Sequence, residues 1–181
     1  MSYEHLKHAT EMDPATLENL MKEYGQEVWN FAYLITKNRT MADDITQDVF
    51  LQAYRHAASF RGEASVKTWL MRITRNRSYN YRKSAFFRKV LLLDLVPPNG
   101  HQRSAEQTFI EQETANHVWR QVLRLPRKYR EVVVLHANRQ LSHQEIASVL
   151  GIPEGTVKSR LSGARKRMAA LLEEELRYEI V

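Results

Sequence analysis

Apolar residues recur at Leu17, Leu20, Tyr24, Val28, Phe31 and Leu34, spacings of three and four that put them on one face of a helix. Asp13-Pro14 marks its start, an N-cap followed by proline at the first helical position, and the pattern runs to about Lys37. Thr40, with Asp43 three residues on, predicts the cap of a second helix through about His56, striped by Met41, Ile45, Val49 and Ala53. The segment Phe60-Arg61-Gly62-Glu63-Ala64-Ser65 breaks the period. Ser65 then predicts the cap of a third helix from about Val66 to Lys83, burying Val66, Trp69, Leu70 and Ile73.

From Ser84 to Arg103 the periodicity fails: a basic patch, the apolar run Val90-Leu91-Leu92-Leu93, then Pro97-Pro98-Asn99-Gly100. A domain boundary is expected there. Ser104 with Gln107 has capping-box spacing and opens a helix to about Leu123; Leu125-Pro126 stops it before another from Arg127 to about Ala137. Ser142 with Glu145 is a second capping box, and Leu141 with Ile146 fits a hydrophobic staple, so a short helix is expected from His143 to Leu150. Gly151-Ile152-Pro153 turns the chain into a last helix from about Glu154 to Arg177. The expected fold is all-α: a helical domain over 1–83, a linker over 84–103, and over 104–181 a four-helix module containing a helix-turn-helix.

Composition agrees and adds a charge. The hydrophobic share is 43%, with 6 Gly and 5 Pro, too few breakers for an all-β chain built on many turns. Lys and Arg total 27 against 21 Asp and Glu, a formal charge of +6, which favours a polyanionic partner. Without cysteine there are no disulfides and no thiolate zinc sites. No apolar run is long enough to cross a membrane, and Met1 to Asp13 is too polar for a signal peptide, so a cytoplasmic location without membrane insertion is expected.

The placement of charge singles out three surfaces. In the last helix Val157, Leu161, Ala164, Met168 and Leu171 form the buried stripe, leaving Ser159, Ser162 and Lys166 opposite it as base-reading candidates. Lys158, Arg160, Arg165 and Arg167 flank them, and no acidic residue lies between Gly155 and Leu172 to repel phosphates. The third helix places Arg72, Arg75, Tyr79 and Arg82 on one side, near Arg77, Lys83, Arg88 and Lys89. Tyr79 among arginines, with Trp69 and Phe60 nearby, suits unstacked bases; plain core packing is the competing role for Trp69. On the second helix Asp44, Gln47, Asp48 and Leu51 make an acidic patch with an apolar member, better suited to a protein than to DNA.

Catalytic readings find no support. The 7 His are scattered, no H-E-x-x-H or glycine-rich phosphate loop occurs, and no Cys is available as nucleophile, so neither an enzyme nor a cofactor is expected. A cation held by Asp43, Asp44 and Asp48 is conceivable, but ligands from a second element are lacking.

In order, Ala42-Asp-Asp-Ile-Thr-Gln-Asp-Val-Phe-Leu51, Phe60-Arg61-Gly62, Thr68-Trp-Leu-Met-Arg-Ile73 with Asn76, Leu125-Pro126 with Tyr129-Arg130-Glu131-Val132, and Gly155-Thr-Val-Lys-Ser-Arg-Leu161 resemble the extracytoplasmic-function sigma factors of bacteria. The resemblance covers nearly the whole chain. It implies a factor that binds core RNA polymerase, recognises the promoter's minus-ten element with its first domain and its minus-thirty-five element with its second, and is controlled by an anti-sigma protein. By position it implies that Asp44, Gln47 and Asp48 meet the polymerase clamp helices. The loop from Phe60 to Ser65, with Arg61, would hold a flipped base, and the basic third helix would help to open the duplex. Lys158, Ser159 and Ser162 would face the minus-thirty-five groove, and the 84–103 linker would thread through the polymerase. One departure is Gly163, where the family often carries a basic residue: helix propensity of about 1 kcal/mol and a possible base contact are expected to be lost there.

Two other classes remain open at this level. A stand-alone helix-turn-helix repressor or activator would bind an operator tightly without polymerase, but leaves the Asp44 patch and third-helix arginines unexplained. A non-specific nucleic-acid-binding protein would show steep salt dependence and little sequence preference.

Overall fold

The computed structural model describes residues 12–92, 117–137 and 141–179, with side chains over 12–84, 119–137 and 141–174. Among these residues every regular element is a helix: α1 (Pro14–Thr36), α2 (Arg39–Arg55), a 3-10 turn (Ala57–Ser59), α3 (Val66–Leu92), α4 (His117–Arg124), α5 (Arg127–Ala137), α6 (His143–Leu150) and α7 (Glu154–Glu179). The chain divides into two compact units, 1–102 and 103–181.

In the first unit α1, α2 and α3 pack mutually. Asp13 caps α1, its carboxylate accepting the Thr16 N–H at 2.9 Å, with Pro14 next. The hydrogen bonds from Thr16 hold the Asp13 carboxyl below its usual range. Besides Leu20, Val28, Phe31 and Leu34, α1 also buries Ala32, Tyr33 and Ile35, because it faces two partner helices and needs a wider apolar surface than one stripe. It ends at Lys37, which adopts a left-handed backbone (φ 55°) and donates its N–H to the Tyr33 carbonyl at 2.6 Å.

The cap of α2 is Asn38, not Thr40. The Asn38 side chain accepts the Met41 N–H at 2.9 Å. Lys37 reverses the chain at once, leaving Asn38 extended (φ −141°) as the first residue able to cap, and Asn is the stronger capping type. Ser65 caps α3 as expected, its Oγ accepting the Thr68 N–H at 3.1 Å. That helix, however, runs nine residues beyond Lys83, to Leu92, across the first part of the expected linker. The apolar period lapses after Lys83, but no glycine or proline intervenes before Pro97, and lost amphipathicity does not remove helix propensity. The rest of the Leu run's surroundings, Leu93 to Arg103, lies outside the described residues, as does the expected Ser104–Gln107 cap.

In the second unit α7 packs on α4, α5 and α6. The capping box is present in full: Ser142 Oγ accepts the Glu145 N–H at 3.2 Å while the Glu145 carboxylate accepts the Ser142 N–H at 2.8 Å. Leu141 and Ile146, the expected staple pair, are both buried. Gly151 closes α6 at φ 61°, a conformation that a side chain would disfavour. A buried guanidinium helps to join α4 to α5: Arg130 donates to the Leu123 carbonyl at 2.9 Å, replacing water that burial removes.

Candidate polymerase and nucleic-acid interfaces

On α2, Asp44, Gln47 and Leu51 are exposed, Leu51 with 47% of its surface in contact with solvent. Asp48 is different: half-buried, it accepts a hydrogen bond from the Tyr81 hydroxyl of α3 at 2.8 Å. Burial first, then the Asp48 carboxylate holding its proton, push the Tyr81 phenol above its usual range. One turn along, Arg77 donates to Gln52. The acidic face therefore stands on a polar seam between α2 and α3. Tyr81 is an addition that helical periodicity did not single out, since an interhelical hydrogen bond leaves no trace in spacing. The three carboxylates of the conceivable cation cluster do not act together: Asp43 accepts the Trp29 indole N–H at 2.7 Å, while Asp48 serves Tyr81.

The loop before α3 buries Phe60, whose ring lies 5.3 Å from that of half-buried Trp69 at a tilt of 50°. Arg61 and Ser65 are exposed, on either side of Gly62, which takes a left-handed backbone (φ 70°). Along α3, Arg72, Arg75, Asn76 and Tyr79 share one face by their spacing of three and four. The Arg75 guanidinium sits over the Tyr79 ring at 4.7 Å. Arg72 and Asn76 are exposed; Arg75 and Tyr79 are half-buried. Lys67, in the first turn, is buried and bonds Glu27 of α1 at 2.6 Å, so it belongs to the frame and not to the basic surface.

In the second unit the face of α7 opposite its buried stripe carries exposed Ser159, Ser162 and Lys166, with exposed Lys158 and Arg165 on one flank and half-buried Arg160 on the other. Val157, Leu161 and Ala164 are buried as the stripe requires. Lys158 pairs with Glu154 at 2.8 Å, and this bond holds the Glu154 carboxyl below its usual range. Ser159 donates to the Thr156 carbonyl at 3.1 Å, a bond it must exchange to reach a base. Gly163 does not belong to the outward face. It is half-buried, and a Cβ there would stand 2.8 Å from Cε1 of Tyr129 on α5. The glycine makes room for a neighbouring helix, which alters the meaning of the departure seen in the sequence.

The Sigma-70 region 2 family matches residues 20–86 and the Sigma-70 region 4 family residues 116–168. The chain is 36% identical over 160 residues to the ECF RNA polymerase sigma factor SigM of Mycobacterium tuberculosis, covering 88% of this chain and 79% of that one. The chain belongs to the ECF RNA polymerase sigma factors. This sigma factor is also 30% identical over 166 residues to the ECF RNA polymerase sigma-E factor of Haemophilus influenzae, covering 85% of the chain and 86% of the relative. Its fold is shared with CnrH, solved in complex with the cytosolic domain of CnrY, at a TM-score of 0.66 and 24% identity over 94% of each chain. RpoE of Bartonella quintana, solved with the anti-sigma factor NepR, gives a TM-score of 0.65 at 24% identity, covering 86% of this chain and 98% of that one. As a sigma factor the protein acts in transcription initiation with RNA polymerase, and the region 2 match accounts for the unit that a stand-alone repressor left without a role. No helix among the described residues is long and apolar enough to cross a membrane.

Proposed function

We propose that this sigma factor divides its work between its two units as follows. Asp44, Gln47, Asp48 and Leu51 meet core polymerase. Phe60, Arg61, Ser65, Trp69, Arg72, Arg75, Asn76 and Tyr79 take the single-stranded minus-ten element and help to melt it. Buried Phe60 supports Trp69 from behind, and bases meet the exposed rim of that pair. Residues 1–83 form the first functional domain, 84–103 join it to the second, and 104–181 read the minus-thirty-five element. There Lys158, Ser159, Arg160, Ser162, Arg165 and Lys166 face the DNA, with the serines toward base edges and the cations toward phosphates. The protein works in the cytoplasm, by binding and without catalysis of its own. An anti-sigma factor controls it, a reading supported by the partner with which the similar RpoE was solved.

The observation that carries this reading is the face of α7. Its outward residues are small polar or basic, on a helix presented by a complete capping box and a glycine turn. Promoter selection with polymerase holoenzyme tests it. Ser162 variants are expected to change preference only at minus-thirty-five positions, and Arg165→Ala to weaken all promoters alike. A shift at minus-ten in the Ser162 variants would sink the assignment. Tight operator binding by the chain without polymerase would instead return the repressor reading.

A further inference from the structure

Arg160, Gly163 and Arg167 share one flank of α7 by their spacing of three and four, and at Gly163 and Arg167 this flank meets Tyr129 of α5. Because Gly163 has no side chain, the Tyr129 ring of α5 lies against the backbone of α7 there. The Arg167 guanidinium covers that ring at 4.3 Å from its centroid, and the Lys128 ammonium approaches it at 5.1 Å. Arg167 also donates to the Gly163 carbonyl at 3.4 Å. One phenol ring thus gathers two cations from two helices. Among the described residues neither cation has a carboxylate partner, whereas Lys158 on the opposite flank must first leave Glu154.

The geometry points to Tyr129 as a positioning residue for the DNA backbone: its ring, seated on Gly163, holds Arg167 and Lys128 as a two-cation clamp on phosphates beside the reading face. The assignment rests on α7 being the DNA-binding helix. A cation on an aromatic face keeps its full charge, and its N–H groups remain available at the edge, which a carboxylate partner would have taken. An arginine held in place gives up less rotamer freedom on binding than one free in solvent. The two like charges repel one another on the ring, and an anion between them removes that repulsion. A phosphate diester fits; a base edge does not require a second cation. In this chain, then, the glycine exchanges a side chain on α7 for a seated arginine one turn further on.

Backbone contact is independent of sequence, so the full-length chain can be titrated against a mixed-sequence DNA duplex at several salt concentrations by fluorescence anisotropy. Arg167→Ala is expected to lower the slope of log affinity against log salt by about one unit, the amount set by one lost phosphate contact. Tyr129→Phe keeps the ring and is expected to keep the slope. Tyr129→Leu, or Gly163→Ala, which fills the seat, is expected to reproduce most of the Arg167→Ala loss, and Tyr129→Leu combined with Arg167→Ala to lose little more than Arg167→Ala alone. Circular-dichroism melts identify any variant that fails to fold; Arg167 is exposed, so Arg167→Ala decides the matter whether or not the ring variants survive. A wild-type slope in Arg167→Ala, or losses from Tyr129→Leu and Arg167→Ala that simply add, would overturn the proposal. Lys158→Ala separates the two levels: if it lowers the slope while Arg167→Ala does not, only the clamp fails, and if neither does, the reading of α7 fails with it.

Discussion

The two units are held together by different kinds of contact. In the first, four polar bonds span the helices, alongside local caps such as Asn38 on Met41: Lys67 to Glu27, Trp29 to Asp43, Tyr81 to Asp48 and Arg77 to Gln52 join residues from 14 to 40 positions apart. In the second, most of those described are local: Ser142 with Glu145, Lys158 with Glu154 and Arg127 with Glu131 at 3.7 Å, while Arg130 reaches the Leu123 carbonyl of the adjacent helix. The exposed Arg124–Glu174 pair, 3.3 Å apart, is a long-range bond there. The difference decides how freely a functional face can be altered. On α7 the outward side chains answer mainly to their own helix, so they can be exchanged with little effect on folding. On α2 a carboxylate proposed to meet polymerase, Asp48, is also a brace, so on that proposal function and stability are coupled at one side chain.

The strongest challenge to this contrast is Lys67→Ala. It leaves Glu27 without its buried cation, and a loss of about 2–3 kcal/mol is expected, at the lower end for a broken buried pair because Glu27 is partly exposed. Urea unfolding reads it. A loss no larger than that of an exposed pair would mean that the interhelical bonds are ornamental to the first unit.

Asp44 and Asp48 sharpen the comparison within one patch. Asp44→Lys is expected to change stability by less than about 0.5 kcal/mol, whereas Asp48→Lys forfeits the Tyr81 hydrogen bond and is expected to cost about 1–2 kcal/mol. Reversing both charges therefore does not leave stability untouched, as a purely surface patch would. Tyr81→Phe removes the bond and keeps the charge, so it separates the two roles: lower stability, with core polymerase still retained in a pull-down. The sign with pH follows from the raised Tyr81 phenol. Its contribution is fully present below the unfolded value of 10.0 and is lost as pH rises through the higher folded value, so wild type and Tyr81→Phe should converge at strongly alkaline pH. Melts across that range that stay parallel would remove Tyr81 from the seam.

In the second unit Ser142→Ala deletes one half of the capping box, and a cost of about 1 kcal/mol is expected from a bond that is wholly local. Thermal melts check the size, and amide exchange should place the change at the start of α6. The smallest effect is a gain. Lys37→Gly relieves a left-handed backbone in a residue with a Cβ and is expected to stabilise the first unit by about 0.5–1 kcal/mol. A loss instead would show that the Lys37 side chain contributes more than its backbone costs.

Much of the fold was legible because its signals are short-range. Pro14 after Asp13, the Ser142–Glu145 box and Gly151 each set a helix end through atoms within a few residues, and the structure places those ends there. The errors occurred where two local signals competed or where one was absent. Asn38 outcompeted Thr40 as a cap, and α3 continued past Lys83 because nothing stopped it. The family motifs, quoted in order along the chain, pointed to the sigma factors that the region 2 and region 4 matches establish.

By itself, then, the sequence determined most of the helical segments among the described residues, the apolar face that each of them buries, and the presence of a basic, serine-bearing face on α7, since all of these follow from period and composition. Only the tertiary structure decided what the remaining polar residues do. Lys67 reads as one more cation of a basic helix until Glu27 is found beside it, and Asp48 matches Asp44 until Tyr81 reaches it from 33 residues away. Gly163 reads as a lost contact until the Tyr129 ring occupies its place. Period describes a helix facing an unspecified neighbour; it cannot say which side chain the neighbour brings, and a polar group's role is set by that partner and by how much water the contact removes.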